Sequence, residues 1–175
     1  MKYFIKFFVV IFLVLVCNNS FAEQKIVVLD LTYVLNQSKA GKGAQDFLKK
    51  TYETDIKKFS QVEKNLKKEE NDLLAKKNIL SKEDFGKEMN TLRKKSVDYQ
   101  TERRASIDKL STQRAEARKK LLEKLKPILE SYIAENAITL VLDKKSILGG
   151  GTPDVDITKV IVEKINKEIP SLNLK

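Results

Sequence analysis

Residues 52–80 read YETDIKKFSQVEKNLKKEENDLLAKKNIL, and residues 85–99 read FGKEMNTLRKKSVDY. Tyr52, Phe59, Leu66, Leu73 and Leu80 fall seven apart in the first stretch, and Phe85, Leu92 and Tyr99 do so in the second. Apolar residues at heptad spacing in a background of charge argue for helix packed on helix, and two runs with a break near Leu80 predict a hairpin. Leu48, Ile56 and Val62 add a second column to the first helix, which turns polar at Glu69 and Lys76. The seam is therefore expected to be firmer at its base than at its tip. The first helix is predicted from about Lys42 to about Leu80, and at 1.5 Å per residue it would be about 55–60 Å long. Ser81-Lys82-Glu83-Asp84 reads as an N-cap followed by acidic residues, with Leu80 and Phe85 as a hydrophobic staple. The turn is placed at 78–81. The returning helix carries Met89, Leu92, Tyr99, Ile107, Leu110, Ala117, Leu121 and Leu125 and is thin around Arg103, Arg104 and Ser106. Pro127 is expected to kink it. Asn136 is read as its left-handed cap.

Short strand-like runs lie on either side of this arm. Lys25 to Asp30 (KIVVLD) and Ala137 to Asp143 (AITLVLD) are continuous and rich in β-branched or large apolar residues, so both are expected to be buried strands. Leu31 to Gln37 suits a short helical turn. Residues 146–149 are a candidate third strand, followed by the triple glycine 149–151. Thr158 is the expected cap of a last helix over 159–169, with Val160, Ile161 and Ile165 on its core face, ended by Pro170. Strands on both sides of an arm imply that residues near 26 and 140 meet in space. The predicted fold is α+β: a body from 23–41 and 127–175, interrupted by a helical hairpin over 42–126. About 60 residues is marginal for a lone core, and a sheet of two or three strands leaves open edges. Both problems are relieved if several copies share one body, with Ile26, Val28, Ile138, Leu140 and Leu142 as the joining residues.

Residues 1–22 have the pattern of an export signal. Lys2 and Lys6 precede an apolar run to Val16, and Ser20-Phe21-Ala22 is a small-x-small cleavage site. Cleavage after Ala22 would leave 153 residues. The alternatives are an uncleaved membrane anchor or lipidation at Cys17. The sequence has no His, and its single Cys is Cys17. The usual zinc sites and Ser-His or Cys-His nucleophile pairs are thus missing from residues 23–175, and no enzyme activity, metal or cofactor is expected. Ala40-Gly41-Lys42-Gly43 lacks the first glycine and the Ser or Thr of a phosphate loop.

The whole chain is formally +10. Lys2 and Lys6 are the only charges in residues 1–22, so residues 23–175 carry +8, and the 23 Lys/Arg against 15 Asp/Glu between Gly43 and Lys126 account for all of it. A basic arm attracts nucleic acid, anionic lipid or acidic protein. Export and the absence of an aromatic reading face argue against nucleic acid.

Taken together, Ile26-Val-Val-Leu-Asp30, the long basic hairpin, Ile138-Thr-Leu-Val-Leu-Asp143 and Asp154-Val-Asp-Ile-Thr158 resemble the Skp (OmpH-like) family of periplasmic chaperones over essentially the whole of residues 23–175. The resemblance implies a jellyfish-shaped homotrimer. Its strands would form a small trimerisation body, and its arms would enclose a cavity for unfolded outer-membrane proteins on their way to the assembly machinery. It also implies lipopolysaccharide contact through basic arm residues, with Arg103-Arg104 at the position of a family arginine pair and Arg93 upstream. The candidate apolar client contacts are Tyr52, Phe59, Leu66, Leu73, Met89, Leu92 and Tyr99. The candidate contacts for lipopolysaccharide or anionic lipid near the tip are Lys76, Lys77, Lys82, Lys87, Arg93, Lys94 and Lys95 with Arg103 and Arg104. The function expected is ATP-independent holding of clients in the periplasm. The alternative is an envelope adaptor that binds lipopolysaccharide or a protein partner without holding clients.

Overall fold

The computed structural model describes residues 24–150 and 152–174. The export-signal reading of residues 1–22 lies outside them. In chain order the elements are β1 (Ile26–Leu29), α1 (Leu31–Gln37), α2 (Lys39–Ala75), α3 (Lys82–Glu135), β2 (Leu140–Asp143), 3-10 turns at Lys144–Ser146 and Pro153–Val155, and α4 (Thr158–Glu168).

The two strands pair in parallel, with Ile26 opposite Leu140 and Val28 opposite Leu142. The pairing expected near 26 and 140 is therefore present. One face of this sheet belongs to the chain's own core. Val27 and Leu29 pack there with Val34, Leu121, Leu125, Ile128, Ile138, Ile161 and Ile165. The other face is left open: Ile26 is 42% exposed, Leu140 48% and Leu142 37%. Neither strand is thus buried on both sides within one chain, because helices cover only one face of the pair. Within α4, Ile161 and Ile165 are fully buried, but Val160 faces outward.

Sharp local devices set the corners. Asp30 caps α1 by accepting from the Tyr33 N–H at 2.7 Å. Ser38 is fully buried and extended (φ −63°, ψ 153°), and its hydroxyl accepts from Gly41 N–H at 3.1 Å. This break separates α1 from α2, so the first arm helix starts at Lys39 instead of Lys42 and ends at Ala75. A Cβ on Gly41 would lie 1.8 Å from the Leu35 carbonyl oxygen, which explains this glycine by close packing rather than by phosphate binding.

The hairpin turns over residues 76–81. Ser81 is the N-cap of α3, and its hydroxyl accepts from Asp84 N–H at 3.1 Å. Pro127 lies inside α3 without ending it, and its flanks Leu125 and Ile128 are buried in the body core. The left-handed residue after α3 is Ala137 (φ 51°), whereas Asn136 has φ −108°. Both the backbone and the side-chain nitrogens of Asn136 donate to the Tyr132 carbonyl, which holds Asn136 out of the left-handed region.

No third strand forms at 146–149. The Asp143 carboxylate accepts from the Lys145 N–H at 3.1 Å and turns the chain into a 3-10 turn. The free edge of β1 is instead met by Asp156, in a parallel bridge with Val28, and Ile157 N–H donates to the Val28 carbonyl at 3.0 Å. Thr158 does not cap α4. Its hydroxyl accepts from the Asp30 N–H at 2.8 Å, while Asp156 accepts from the Thr158 N–H at 2.9 Å. Asp156 also meets Lys144 at 2.7 Å. Partial burial raises the Asp156 pKa, but the hydrogen bonds from Lys144 and Thr158 and the Lys144 charge outweigh it and hold the carboxyl at about 2.

Candidate functional site

The arm is built from α2 and α3 lying antiparallel. The body core includes Ala40 and Leu121 but no position farther along either helix toward the tip. From there α2 continues for about 50 Å to its end. Its seam contains both apolar and polar contacts. Phe59 and Tyr99 meet edge to face with centroids 6.0 Å apart. Lys58 pairs with Glu102 at 3.3 Å, Lys95 with Glu69 at 2.7 Å, and the Tyr99 hydroxyl donates to Glu63 at 3.5 Å. The Ser106 hydroxyl donates to Asp55, filling the part of the seam that looked thin in sequence. These exposed ion pairs each contribute little, about 0–1 kcal/mol, but they keep the register of a seam with few large apolar residues.

The candidate apolar contacts divide by position. Phe59, Leu73 and Leu92 are buried, and Leu66, Met89 and Tyr99 are half-buried. Tyr52 is 51% exposed, with Ile56 and Ile107 similarly open beside it. Buried positions are most frequent near the base (Ala44, Leu48, Ala117 and Leu121), with Leu73 and Leu92 buried toward the tip. Beside those base residues the helices leave a trough of about 920 Å³. Small residues explain this: Gly41 and Ala44 on α2 and Ala117 on α3 line it. The sequence reading took Ala117 as a seam position and missed the space it leaves. It also missed Arg114, Arg118 and Leu172 as lining residues. A smaller groove of about 280 Å³ continues from it, sharing Tyr52 and Leu110 and lined also by Arg103.

The basic candidates are exposed. Lys87 pairs with Glu83 at 2.7 Å, and Lys95 pairs with Glu69. Lys76, Lys77, Lys82, Arg93, Lys94, Arg103 and Arg104 have no ion-pair partner among the described residues. Ile79 in the turn is 81% exposed among these lysines. Of the candidate joining residues, Ile26, Val28, Leu140 and Leu142 share the open sheet face, while Ile138 lies in the chain's own core.

Among the described residues there is no His/Cys/Asp/Glu cluster suited to a metal, and no helix is long and apolar enough to cross a membrane.

Comparison with known proteins agrees with this architecture. A "Skp-like protein" from Pseudomonas aeruginosa (strain PAO1) is 25% identical over 171 residues, covering 95% of this chain and 99% of that protein. A crystal structure from Caulobacter crescentus CB15, of a protein described as an OmpH-like outer membrane chaperone, superposes with a TM-score of 0.81. It is 17% identical and covers 86% of this chain and 88% of the other. Residues 25–165 match the family described as outer membrane protein (OmpH-like). With that match spanning both strands, the whole hairpin and most of α4, the chain belongs to the OmpH-like family of Skp-type chaperones.

Proposed function

We propose that this protein is an ATP-independent holding chaperone of the periplasm, which keeps unfolded outer-membrane proteins from aggregating until they reach the assembly machinery. The observation that carries this reading is the hairpin. It is a long basic arm whose exposed apolar residues lie among charges, with Tyr52, Ile56 and Ile107 together along one groove and Leu74, Ile79 and Val97 elsewhere along the arm. Such a wall offers many weak contacts spread along an open surface, which suits promiscuous holding better than catalysis. Its charge speeds capture of acidic chains and weakens with salt.

Holding requires an enclosure, and one arm encloses nothing. The open sheet face of Ile26, Leu140 and Leu142 favours assembly, since a second copy would cover it. A homotrimer then sets three arms around one cavity. In it, Tyr52 with the neighbouring Ile56 and Ile107, and the half-buried Leu66, Met89 and Tyr99, offer apolar contacts to a client. The unpaired tip lysines and the Arg103-Arg104 pair would meet lipopolysaccharide or anionic lipid at delivery. Dilution of a urea-unfolded outer-membrane β-barrel protein into this protein tests the reading, because a lipopolysaccharide-binding adaptor would leave its aggregation unchanged.

A further inference from the structure

The trough at the arm base has chemistry that non-specific holding does not require. Leu35, Leu48 and Tyr52 supply its apolar side from α1 and α2, and Leu110, Leu121 and Leu172 supply the rest. Arg114 and Arg118 also line it, one helical turn apart on α3, and neither has an ion-pair partner among the described residues. Lys49, itself 4.0 Å from Glu53, adds a third cation, against Asp46 as the one acidic lining residue described. An apolar channel with unpaired guanidinium groups along one side is complementary to an amphipathic anion.

The spacing indicates which kind. Residues four apart on a helix are about 6 Å apart along its axis. Alternate residues of an extended chain are about 6.6 Å apart and point to the same side. Arg114 and Arg118 therefore match carboxylates at positions i and i+2 of an extended peptide. The intervening side chains then point the other way, toward Leu35, Leu48 and Tyr52. The smaller groove beyond Tyr52 and Leu110 gives the peptide room to continue toward Arg103.

We propose that this trough binds an extended client segment in which acidic and apolar side chains alternate, with its carboxylates on Arg114 and Arg118 and its apolar side chains against α1 and α2. The inference rests on the holding function and gives it a sequence preference. A β-barrel strand, with one apolar and one polar face, has the required alternation.

The test uses the purified protein and three fluorescein-labelled octapeptides, followed by fluorescence anisotropy. One alternates Glu and Leu, one alternates Lys and Leu, and one has four Glu followed by four Leu. The alternating acidic peptide is expected to bind at least fivefold more tightly than either control. Arg114→Gln with Arg118→Gln is expected to weaken it about five- to tenfold, as the loss of two exposed ion pairs implies. Lys67→Gln with Lys68→Gln removes the same charge farther along α2, outside both grooves, and should leave the affinity unchanged. Ala115→Trp, which fills the trough without altering either arginine, should abolish the preference. Equal binding of the three peptides, or equal losses in the arginine and lysine variants, would overturn the proposal. Suppression of aggregation of a whole unfolded barrel is measured in parallel. If holding persists while the peptides show no preference, the trough proposal fails alone. If the acidic peptide binds as expected while no barrel is held, the trough stands as a peptide site and the holding function fails.

Discussion

The hydroxyl of Thr158 accepts a 2.8 Å hydrogen bond from the backbone N–H of Asp30, 128 residues earlier in the chain. It ties the end of β1 to the start of α4, across the point where the arm leaves and returns. Thr158 is 5% exposed, so water is poorly placed to replace it. Thr158→Val keeps the shape and removes the acceptor, and should cost about 1–2 kcal/mol. Urea denaturation followed by circular dichroism measures this. An unchanged midpoint would show that the bond contributes nothing.

Two glycines four residues or fewer from Ser38–Lys39 should respond to alanine with opposite signs. At Gly41 the added methyl overlaps the Leu35 carbonyl, and overpacking of this kind costs about 1–3 kcal/mol. At Gly43, also within α2, nothing lies within 4 Å, and Gly43→Ala should stabilise the helix by up to about 1 kcal/mol. Thermal melts of the two variants beside the parent check both signs.

Asp156 makes the body sensitive to acid. Its pKa is about 2 when folded, against 3.8 as its ordinary value. A carboxyl depressed by folding stabilises the protein fully above its unfolded pKa, and that contribution is lost as pH falls through the folded one. The parent should therefore lose stability between about pH 4 and pH 2 through this group. Asp156→Asn should be less stable than the parent at pH 7, and the gap should narrow as pH approaches 2. Urea midpoints from pH 7 to pH 2 for both proteins test this, and a constant gap would contradict it.

The open sheet face predicts the oligomer's weak point. Leu140→Asp with Leu142→Asp places two charges where we expect a second copy to cover the β1–β2 pair. Light scattering after gel filtration should show the parent as a multiple of the single chain, and the variant shifted toward one chain. Retained helicity would separate failed assembly from unfolding. A parent that is itself a single chain would remove the enclosed cavity from the account.

Much of the fold was legible in sequence because its signals are local and periodic. The heptads of Tyr52 to Leu80 and the Ser81 cap placed the hairpin, and two apolar runs placed the strands that pair at Ile26 and Leu140. The corners were less legible, because polar side chains there had several competing partners. Thr158 looks like a helix cap, but tertiary folding brings the Asp30 N–H to its hydroxyl. Asp143 turns residues 144–146 away from the sheet through a side-chain bond that no hydrophobic pattern records. The candidate arm residues were placed on helices by their spacing, but spacing alone does not say which side a partner helix covers. Phe59, Leu73 and Leu92 are covered, and Tyr52 is not. The trough was missed because the signal for it is small side chains at Gly41, Ala44 and Ala117, and small residues register weakly in a search for apolar stripes.

The most direct test of the account is light scattering from a urea-unfolded outer-membrane β-barrel protein diluted into buffer, with and without a few-fold molar excess of this protein's oligomer. Strong suppression without ATP is expected, weakening as salt rises from about 0.05 M to about 0.5 M because the arm's charge is screened over that range. Full aggregation in the presence of folded, assembled protein would contradict it.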